Sequence, residues 1–339
     1  MCKKNIMKKA IYLVVAVATF YSCSDSDEVD SSKQLLSESF TRVRVDVGSP
    51  FGGITFDDIS FCDEANGVMG GSSGTIIKTN DGGLTWTSMT GTDATYSSVF
   101  MFNPSTVYAG RRDFYKMNEN NAMIARGDLG QDIGTINDIH FYTATTGFAL
   151  KGSTVLKSTD AGNSWGINFE ESIYIKGLCY ASQNVIYAWG GDTREGLSGA
   201  VLFKTTDGGN NWTEMSIQTS EIKAMQFLDK EVGFMVNHNS EFLKTTDGGV
   251  TWTMIARVPY APYHNGGNTS LLYVNEKQIF VTNLDGQLLK SSDGGTNWQS
   301  IYEHPEPDGA FTKIIRVNKT LYVAGSYGYL LKNGYLSKI

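Results

Sequence analysis

One nine-residue segment recurs along this chain, and it constrains the fold more than any other feature of the sequence. Each copy begins with lysine, carries aspartate at its fourth position and glycine at its sixth, and ends with tryptophan. Five of the six tryptophans stand at this last position. The clear copies are residues 78–86, 157–165, 204–212, 244–252 and 290–298. Recurrence at a nearly constant interval predicts a repeat architecture, in which each copy belongs to one structural unit.

Two weaker copies complete a set of seven units. Residues 114–118 keep the lysine, Lys116, but lack the aspartate and the tryptophan. Residues 329–334 keep a strand and a turn around Lys332. The intervals between the seven lysines run from 38 to 47 residues. That length suits a four-stranded propeller blade.

The third unit shows how one repeat predicts four short strands. Residues 136–141, 147–150 and 154–157 are apolar runs separated by polar and glycine residues, and a fourth strand begins at Trp165. The seventh unit ends too early for a fourth strand, whereas residues 41–47 form an extra strand before the first unit. Placing this strand in the last blade closes the ring. The sequence therefore predicts an all-β, seven-bladed β-propeller of four-stranded blades over residues 41–339.

The repeated pattern Ser/Thr-x-Asp-x-Gly-x-Thr-Trp resembles the Asp box, or BNR repeat, of sialidase-type propellers. It also looks like the repeats of photosystem II stability and assembly factors, which are single seven-bladed rings, and of xyloglucan-cleaving hydrolases, which join two rings. In a tight turn between the third and fourth strands, the aspartate can accept backbone N–H groups while the tryptophan returns to the core. We therefore expect structural roles for Asp81, Trp86, Asp160, Trp165, Asp207, Trp212, Asp247, Trp252, Asp293 and Trp298.

The first 40 residues are interpreted as targeting and tether segments. Four lysines precede an apolar run over residues 10–21, which predicts a signal peptide over residues 1–22. The Ser22-Cys23 pair resembles a bacterial lipobox, so residues 23–40 are expected to form a tether lipidated at Cys23. The alternative is an ordinary signal peptide with an incidental cysteine. The lipobox interpretation predicts an exported protein that is anchored to the outer membrane and exposed at the cell surface.

Charge and cysteine content limit the partners that this chain can have. Its formal net charge is −7, and loss of the signal peptide removes four lysines and no acid, which leaves −11. This acidic body argues against nucleic acid as a partner and against electrostatic docking on anionic lipid, so the lipid anchor is the expected membrane contact. Cys62 and Cys179 are interpreted as unpaired buried residues. The sequence shows no cofactor motif and no metal-ligand spacing, and we expect a monomer.

The resemblance places function on the face opposite the boxes. Two kinds of loop build that face: those between the second and third strands of a blade, and those between successive blades. Arginine, tyrosine and histidine in these loops can stack on sugars or bind a protein loop. The expected ligand-binding residues are Arg111, Arg112, Arg194, Tyr260, Tyr263 and His264.

Two functions remain open at this point. The first is a binding module for a glycan or protein ligand, without evident catalytic machinery. The second is a glycoside hydrolase, which needs two carboxylates about 5–9 Å apart across a cleft. A sialidase is disfavoured because the family's Arg-Ile-Pro signature is absent and the arginines are poorly placed for a triad. The candidate carboxylates are Asp58, Asp138, Asp192 and Glu195, with Asp57 beside the first of them.

Overall fold

The computed structural model describes residues 40–43, 45, 53–90, 95–126, 134–171, 173–192, 199–259 and 268–333. Over these ranges the chain forms 28 strands and no helix, so the described part has no helix that could cross a membrane. The strands form seven antiparallel sheets of four strands each. This confirms the predicted seven-bladed β-propeller.

The strand bounds show the repeat directly. The N-terminal strand and the first two blades comprise β1 (Phe40–Val43), β2 (Phe56–Phe61), β3 (Gly67–Gly71), β4 (Ile76–Thr79), β5 (Thr87–Ser88), β6 (Ser98–Asn103), β7 (Thr106–Gly110), β8 (Phe114–Met117) and β9 (Met123–Arg126). The third and fourth blades comprise β10 (Ile136–Phe141), β11 (Gly147–Lys151), β12 (Thr154–Ser158), β13 (Gly166–Glu170), β14 (Tyr174–Tyr180), β15 (Ile186–Gly191), β16 (Ala200–Thr205) and β17 (Thr213–Glu214). The last three blades comprise β18 (Ile222–Phe227), β19 (Gly233–Asn237), β20 (Glu241–Thr245), β21 (Thr253–Arg257), β22 (Asn268–Tyr273), β23 (Ile279–Asn283), β24 (Gln287–Ser291), β25 (Gln299–Glu303), β26 (Phe311–Val317), β27 (Thr320–Gly325) and β28 (Leu330–Asn333).

Each blade has four strands, here named A to D from the channel outward, and in the first six blades they follow chain order. The A strands of successive blades contact one another around the ring and surround a central channel. In the seventh blade, β1 supplies strand D: it pairs antiparallel with β28, from Phe40 opposite Asn333 to Val43 opposite Leu330. The N-terminal strand therefore closes the last blade, as the sequence predicted.

A repeated set of side chains joins several blades to the next, and the junction between the fourth and fifth blades shows it clearly. The ring of Tyr187 stacks on Phe227 of the next blade, with centroids 4.0 Å apart. The Lys204 ammonium lies 5.3 Å from the centroid of the Tyr187 ring. The Tyr187 hydroxyl and the Lys204 ammonium both donate to the carbonyl oxygen of Gly248, at 3.0 and 2.9 Å. We call this lysine–aromatic–carbonyl set the interblade clasp.

The clasp explains why the sequence repeats its lysine. Tyr108 and Lys116 donate to the Ala161 carbonyl across the junction between the second and third blades, at 3.2 and 3.0 Å. At the junction between the seventh and first blades, Tyr322 and Lys332 both donate to the Gly82 carbonyl at 2.7 Å. The accepting carbonyls belong to the fifth position of the recurring segment, so the segment binds its neighbouring blade through its backbone.

Candidate ligand-binding face

The two faces of the ring are built from different connections. The C–D turns carry the recurring segment and pack on the A–B loops of their own blades; the Gly82 and Gly248 N–H groups donate to Ala65 and Glu231. We call this side the box face. The B–C loops and the connections between blades lie on the opposite side, which we call the loop face.

The aspartates of the box face are occupied by their own turns. The Asp247 carboxylate accepts the backbone N–H of Thr251 at 2.9 Å and hydroxyl groups of Thr251 and Thr245 at 2.6 and 2.8 Å. The Thr251 hydroxyl and backbone N–H lower the pKa of Asp247 to about 2. Asp81, Asp160, Asp207 and Asp293 make the same kind of bonds within their turns. Groups bound in this way offer little to a ligand.

The tryptophans of the five turns pack less uniformly than the aspartates. Trp86 is buried and meets Phe61 edge to face, with ring centroids 6.1 Å apart. The other four, Trp165, Trp212, Trp252 and Trp298, are half-buried. The Trp252 and Trp298 indole N–H groups donate to backbone carbonyls of their own turns, at 3.1 and 2.8 Å.

In six of the seven blades, the pairing between strands A and B skips one residue of strand A. The skipped residue lies near the start of strand A, at its loop-face end. Such bulges re-aim one side chain out of the regular ladder. The skipped residues are Asp57, Asn137, Lys176, Lys223, Thr269 and Thr312, which we call the bulge ring. These residues lie at the loop-face ends of the innermost strands, which surround the mouth of the central channel.

Members of the bulge ring divide into two kinds. Thr269 and Thr312 donate their hydroxyls to backbone carbonyls of the next blade, Phe311 and Phe56, both at 2.6 Å. Asp57 cannot do this as a carboxylate; burial and the charge of Asp58 raise its pKa to about 6. The Asp57 carboxylate therefore does not make the interblade bond that the two threonines make.

Lys176 and Lys223 of the bulge ring share one carboxylate. The Glu221 carboxylate lies 2.7 Å from the Lys223 ammonium and 3.6 Å from that of Lys176. Burial lowers the pKa of Lys176, and the neighbouring Lys223 lowers it further. Burial acts to raise the pKa of Glu221, but the bond from Lys223 and the charge of Lys176 hold it below its usual value. Two ammonium groups facing one carboxylate leave one positive charge in excess.

A depression of about 350 Å³ adjoins this cluster on the loop face. It lies between the fourth and fifth blades and contains the Glu221 side chain. Its lining residues are Gly199, Thr219, Ser220, Glu221 and His238. A second depression, of about 370 Å³, opens on the box face beside Asp81, Lys319 and Lys332.

Two of the four candidate catalytic carboxylates lie in the channel, and a lysine accompanies them. The Lys313 ammonium is 3.4 Å from Asp58, whose other oxygen accepts the Val99 N–H of the next blade at 3.0 Å. Burial raises the pKa of Asp138 to about 7, with Lys313 opposing and Asp58 adding to the rise. The Leu178 N–H of the next blade also binds Asp138. These carboxylates thus sit at junctions between blades, around one ammonium group.

The other predicted site residues lie away from the channel or outside the described ranges. Asp192 follows β15, and its N–H donates to the Gly199 carbonyl at 2.9 Å. Arg111 and Arg112 stand in the B–C loop of the second blade, where Arg112 is exposed and Arg111 half-buried. Outside the described residues lie Cys23, Arg194, Glu195, Tyr260, Tyr263 and His264.

Sequence reasoning missed the basic side of the channel mouth. Lys176 and Lys223 follow the first residue of a buried run, at the position that Asp57 occupies in the first blade. Aligning the seven A strands by this position would have placed the three charges in one ring. Within the described residues, no group of three His, Cys, Asp or Glu side chains is placed to bind a metal ion.

Comparisons with known proteins identify the architecture and no family. No protein-family model and no curated protein matches the sequence. Among solved structures, the chain is similar to YCF48 bound to D1 peptide, with a TM-score of 0.69 and 18% identity over 87% of this chain and 96% of that one.

Two further structures support the same fold. YCF48 from Cyanidioschyzon merolae superposes with a TM-score of 0.68 and 16% identity over 87% of this chain and 98% of that one. The WD40 β-propeller domain of Doa1 gives 0.66 at 8% identity, over 88% and 96% of the two chains. At such low identity the similarity shows a shared propeller fold, and function has to be argued from the site.

Proposed function

We propose that this protein is an exported binding module that holds a protein segment on its loop face, around the mouth of the channel. The observation that carries this proposal is the bulge ring, where Asp57, Lys176 and Lys223 place charges of both signs at one opening. Charged groups that are partly exposed and held on rigid strands form a preorganised surface for a charged partner.

The interblade clasps support this proposal because they make the platform rigid. Lysine, aromatic ring and backbone carbonyl recur at several junctions, and the last junction is bonded in the same way as the internal ones. A ligand binding across several blades would therefore not have to order them, which reduces the entropic cost of binding.

The nature of the ligand is proposed from charge and from one structural neighbour. The similar YCF48 structure is described as bound to a D1 peptide. A mouth with acidic residues on one side and basic residues on the other suits a peptide, which carries both kinds of charge. A glycan is the alternative ligand; Tyr174, 47% exposed beside Lys176, provides an aromatic surface for it.

The hydrolase hypothesis receives less support from the described carboxylates. Glycoside hydrolysis needs an open space between two carboxyl groups for the sugar. Asp58 instead pairs with Lys313, and both Asp58 and Asp138 bind main-chain N–H groups of the next blade. This arrangement suits an interblade contact better than a sugar subsite, so we rank the hydrolase second.

The proposed function is tested by screening the purified protein against a random peptide library and a glycan array in parallel. Affinity for the best peptide is then measured for Asp57→Asn and Arg112→Ala on the loop face. Lys230→Gln, in an exposed A–B loop on the box face, is the matched control. We expect the loop-face variants to weaken binding and the control to leave it unchanged.

Two results would argue against this proposal. Glycan binding without peptide binding would replace the protein ligand with a carbohydrate. If only Lys230→Gln weakens peptide binding, the peptide binds on the box face and not on the loop face.

We also propose that Cys23 anchors the protein to the outer membrane, with the ring at the cell surface. The measurement is metabolic labelling with a palmitate analogue, followed by protease treatment of intact cells. Label should be lost in Cys23→Ser, and the protein should be cleaved from outside. Label that persists in this variant would argue against acylation at Cys23, whereas protection of the protein from protease would argue for an anchor facing inward.

A further inference from the structure

The depression between the fourth and fifth blades is distinguished by its hydrogen-bonding groups. The Thr219 hydroxyl oxygen accepts the Asn237 side-chain amide at 2.7 Å, and the Ser220 hydroxyl oxygen accepts the Asn239 N–H at 3.3 Å. Each hydroxyl therefore keeps its own proton as a donor. With the imidazole of His238 they line one small cavity.

The two ammonium groups beside the depression are also donors. Lys223 retains 15% of its side-chain exposure and Lys176 retains 32%, so both ammonium groups are partly desolvated while still reached by water. Glu221 is the carboxylate that both lysines contact, and it lines the depression. A partly desolvated ammonium group gains more from an added anion than a fully hydrated one does.

Glu221 occupies the place that an external anion would take. Its carboxylate reaches from the loop entering the fifth blade to Lys176 on the fourth blade and Lys223 on the fifth. The two lysines together can bind more than one carboxylate, because each ammonium has three donors. Their excess positive charge also stands out on a chain whose formal net charge is −7.

We propose that Lys176, Lys223 and the adjoining depression form an anion-recognition subsite that takes a carboxylate group of an acidic peptide. The carboxylate lies against the two ammonium groups, in competition with Glu221, and the Thr219 and Ser220 hydroxyls donate to the same group or to its neighbour. The volume of about 350 Å³ suits one side chain rather than a folded domain. The subsite rests on the proposed function, since it lies on the same loop face and gives the ligand a chemical class.

The test uses the purified full-length protein and defined probes. The acidic probe is an acetylated and amidated hexaglutamate peptide, and the hexaglutamine peptide of the same length is its neutral control. Binding is measured calorimetrically at low and at high salt. We expect the hexaglutamate peptide to bind, binding to weaken at high salt, and the neutral peptide not to bind.

Variants on the loop face and matched controls on the box face separate this subsite from a purely structural ion pair. Lys223→Gln and the more exposed Lys176→Gln should each weaken hexaglutamate binding about tenfold, which corresponds to one charge-assisted hydrogen bond. Glu221→Gln should strengthen it several-fold because it removes the competing carboxylate. The matched controls are Lys230→Gln and Glu231→Gln, from an exposed Lys–Glu pair on the box face of the same blade. They should leave binding unchanged.

Several outcomes would overturn the subsite. These are hexaglutamate binding that Lys176→Gln and Lys223→Gln leave intact, weaker binding in Glu221→Gln at an unchanged melting temperature, and binding of inorganic phosphate without binding of the peptide. If hexaglutamate fails to bind while library peptides still depend on Asp57 and Arg112, the subsite is wrong and the proposed function stands. If library peptides bind independently of the loop face, the proposed function itself is wrong.

Discussion

Asp81 and Asp138 are the same residue type, yet their surroundings move their pKa values in opposite directions. Asp81 lies in a turn where burial acts to raise its pKa, but bonds from Thr85, Thr79 and Leu84 outweigh this and lower it to about 2. Burial in the channel raises the pKa of Asp138 to about 7. The turn binds the charged form of an aspartate, whereas the channel favours the protonated form.

Replacing the turn aspartate should therefore cost stability in a pH-dependent way. The folded pKa of Asp81 lies below its ordinary value, so its contribution is full above about pH 4 and is lost as the pH falls through about 2. Asp81→Ala should lower the free energy of unfolding by about 1 kcal/mol at pH 7, after allowance for solvent exposure. Urea unfolding at pH 7 and pH 2.5 measures this, and an equal loss at both pH values would contradict it.

Asp138→Asn should act in the opposite direction. Because the folded pKa of Asp138 is raised, the native aspartate loses stability as the pH rises from about 4 through about 7. Asparagine keeps an acceptor for the Leu178 N–H and carries no charge to desolvate. We expect the variant to be more stable than the native protein by about 1 kcal/mol at pH 8, and the difference to vanish near pH 4. Melting temperatures across this range provide the measurement. A less stable variant at pH 8 would show that the ionised carboxylate is needed beside Lys313.

The recurring segment forms the C–D turn of its own blade and also contacts the neighbouring blade. Its second glycine shows why a side chain is excluded: Gly209 has a φ of +85°, and a Cβ there would lie 2.8 Å from Phe148 of the preceding blade. The residue before it, Gly208, presents the carbonyl that accepts the Lys157 ammonium at 2.8 Å. One short segment thus closes a strand pair and binds the preceding blade.

If the clasp stabilises every junction where it occurs, removing its lysine should cost the same stability at an internal junction and at the junction that closes the ring. Lys204→Met and Lys332→Met keep the aliphatic stem and remove the ammonium that donates to the neighbouring carbonyl. Each should lower the free energy of unfolding by about 1 kcal/mol, although one junction is internal and the other joins the two ends of the chain. Lys230→Met, from an exposed ion pair, should have no measurable effect. Thermal unfolding of the three variants decides this, and three indistinguishable curves would contradict it.

The strands could be predicted from the sequence, but the charged mouth could not be predicted in full. Strand and turn signals recur in every unit, and they predicted the blade and the closing strand. Sequence alignment of the A strands can place Asp57, Lys176 and Lys223 at one position, but a bulge leaves the apolar pattern on either side unchanged, so the bulge itself is shown only by the pairing register. Glu221 lies outside a strand, and only its contacts with both lysines identify it as part of the candidate site.

At the scale of the whole molecule, the ring has one junction where the chain's two ends meet, and three kinds of contact hold it. The strand β1 pairs with β28 at the outer rim. On the box face, Tyr322 and Lys332 donate to the Gly82 carbonyl. In the channel, Lys313 of the seventh blade pairs with Asp58 of the first. These contacts lie at three radii, so loss of one leaves the other two to hold the ring closed.

Removal of β1 tests how much of the closure depends on the outermost contact. A chain lacking residues 24–43 loses four paired residues and exposes the edge of β28, whereas a chain lacking only residues 24–36 keeps the strand. We expect the longer deletion to lower the free energy of unfolding by about 4 kcal/mol, at about 1 kcal/mol for each lost hydrogen bond. The uncovered edge should also promote concentration-dependent association, because unpaired strand edges bind other strands.

Calorimetry and light scattering on the two deletions measure both effects. A ring that stays monomeric and equally stable without β1 would mean that the clasp and the channel ion pair suffice for closure. The outer strand would then be dispensable for closure and would serve only to connect the ring to the proposed tether. The expected result instead makes β1 part of the fold, so that tension on the tether proposed for residues 23–40 would act on the same strand that closes the ring.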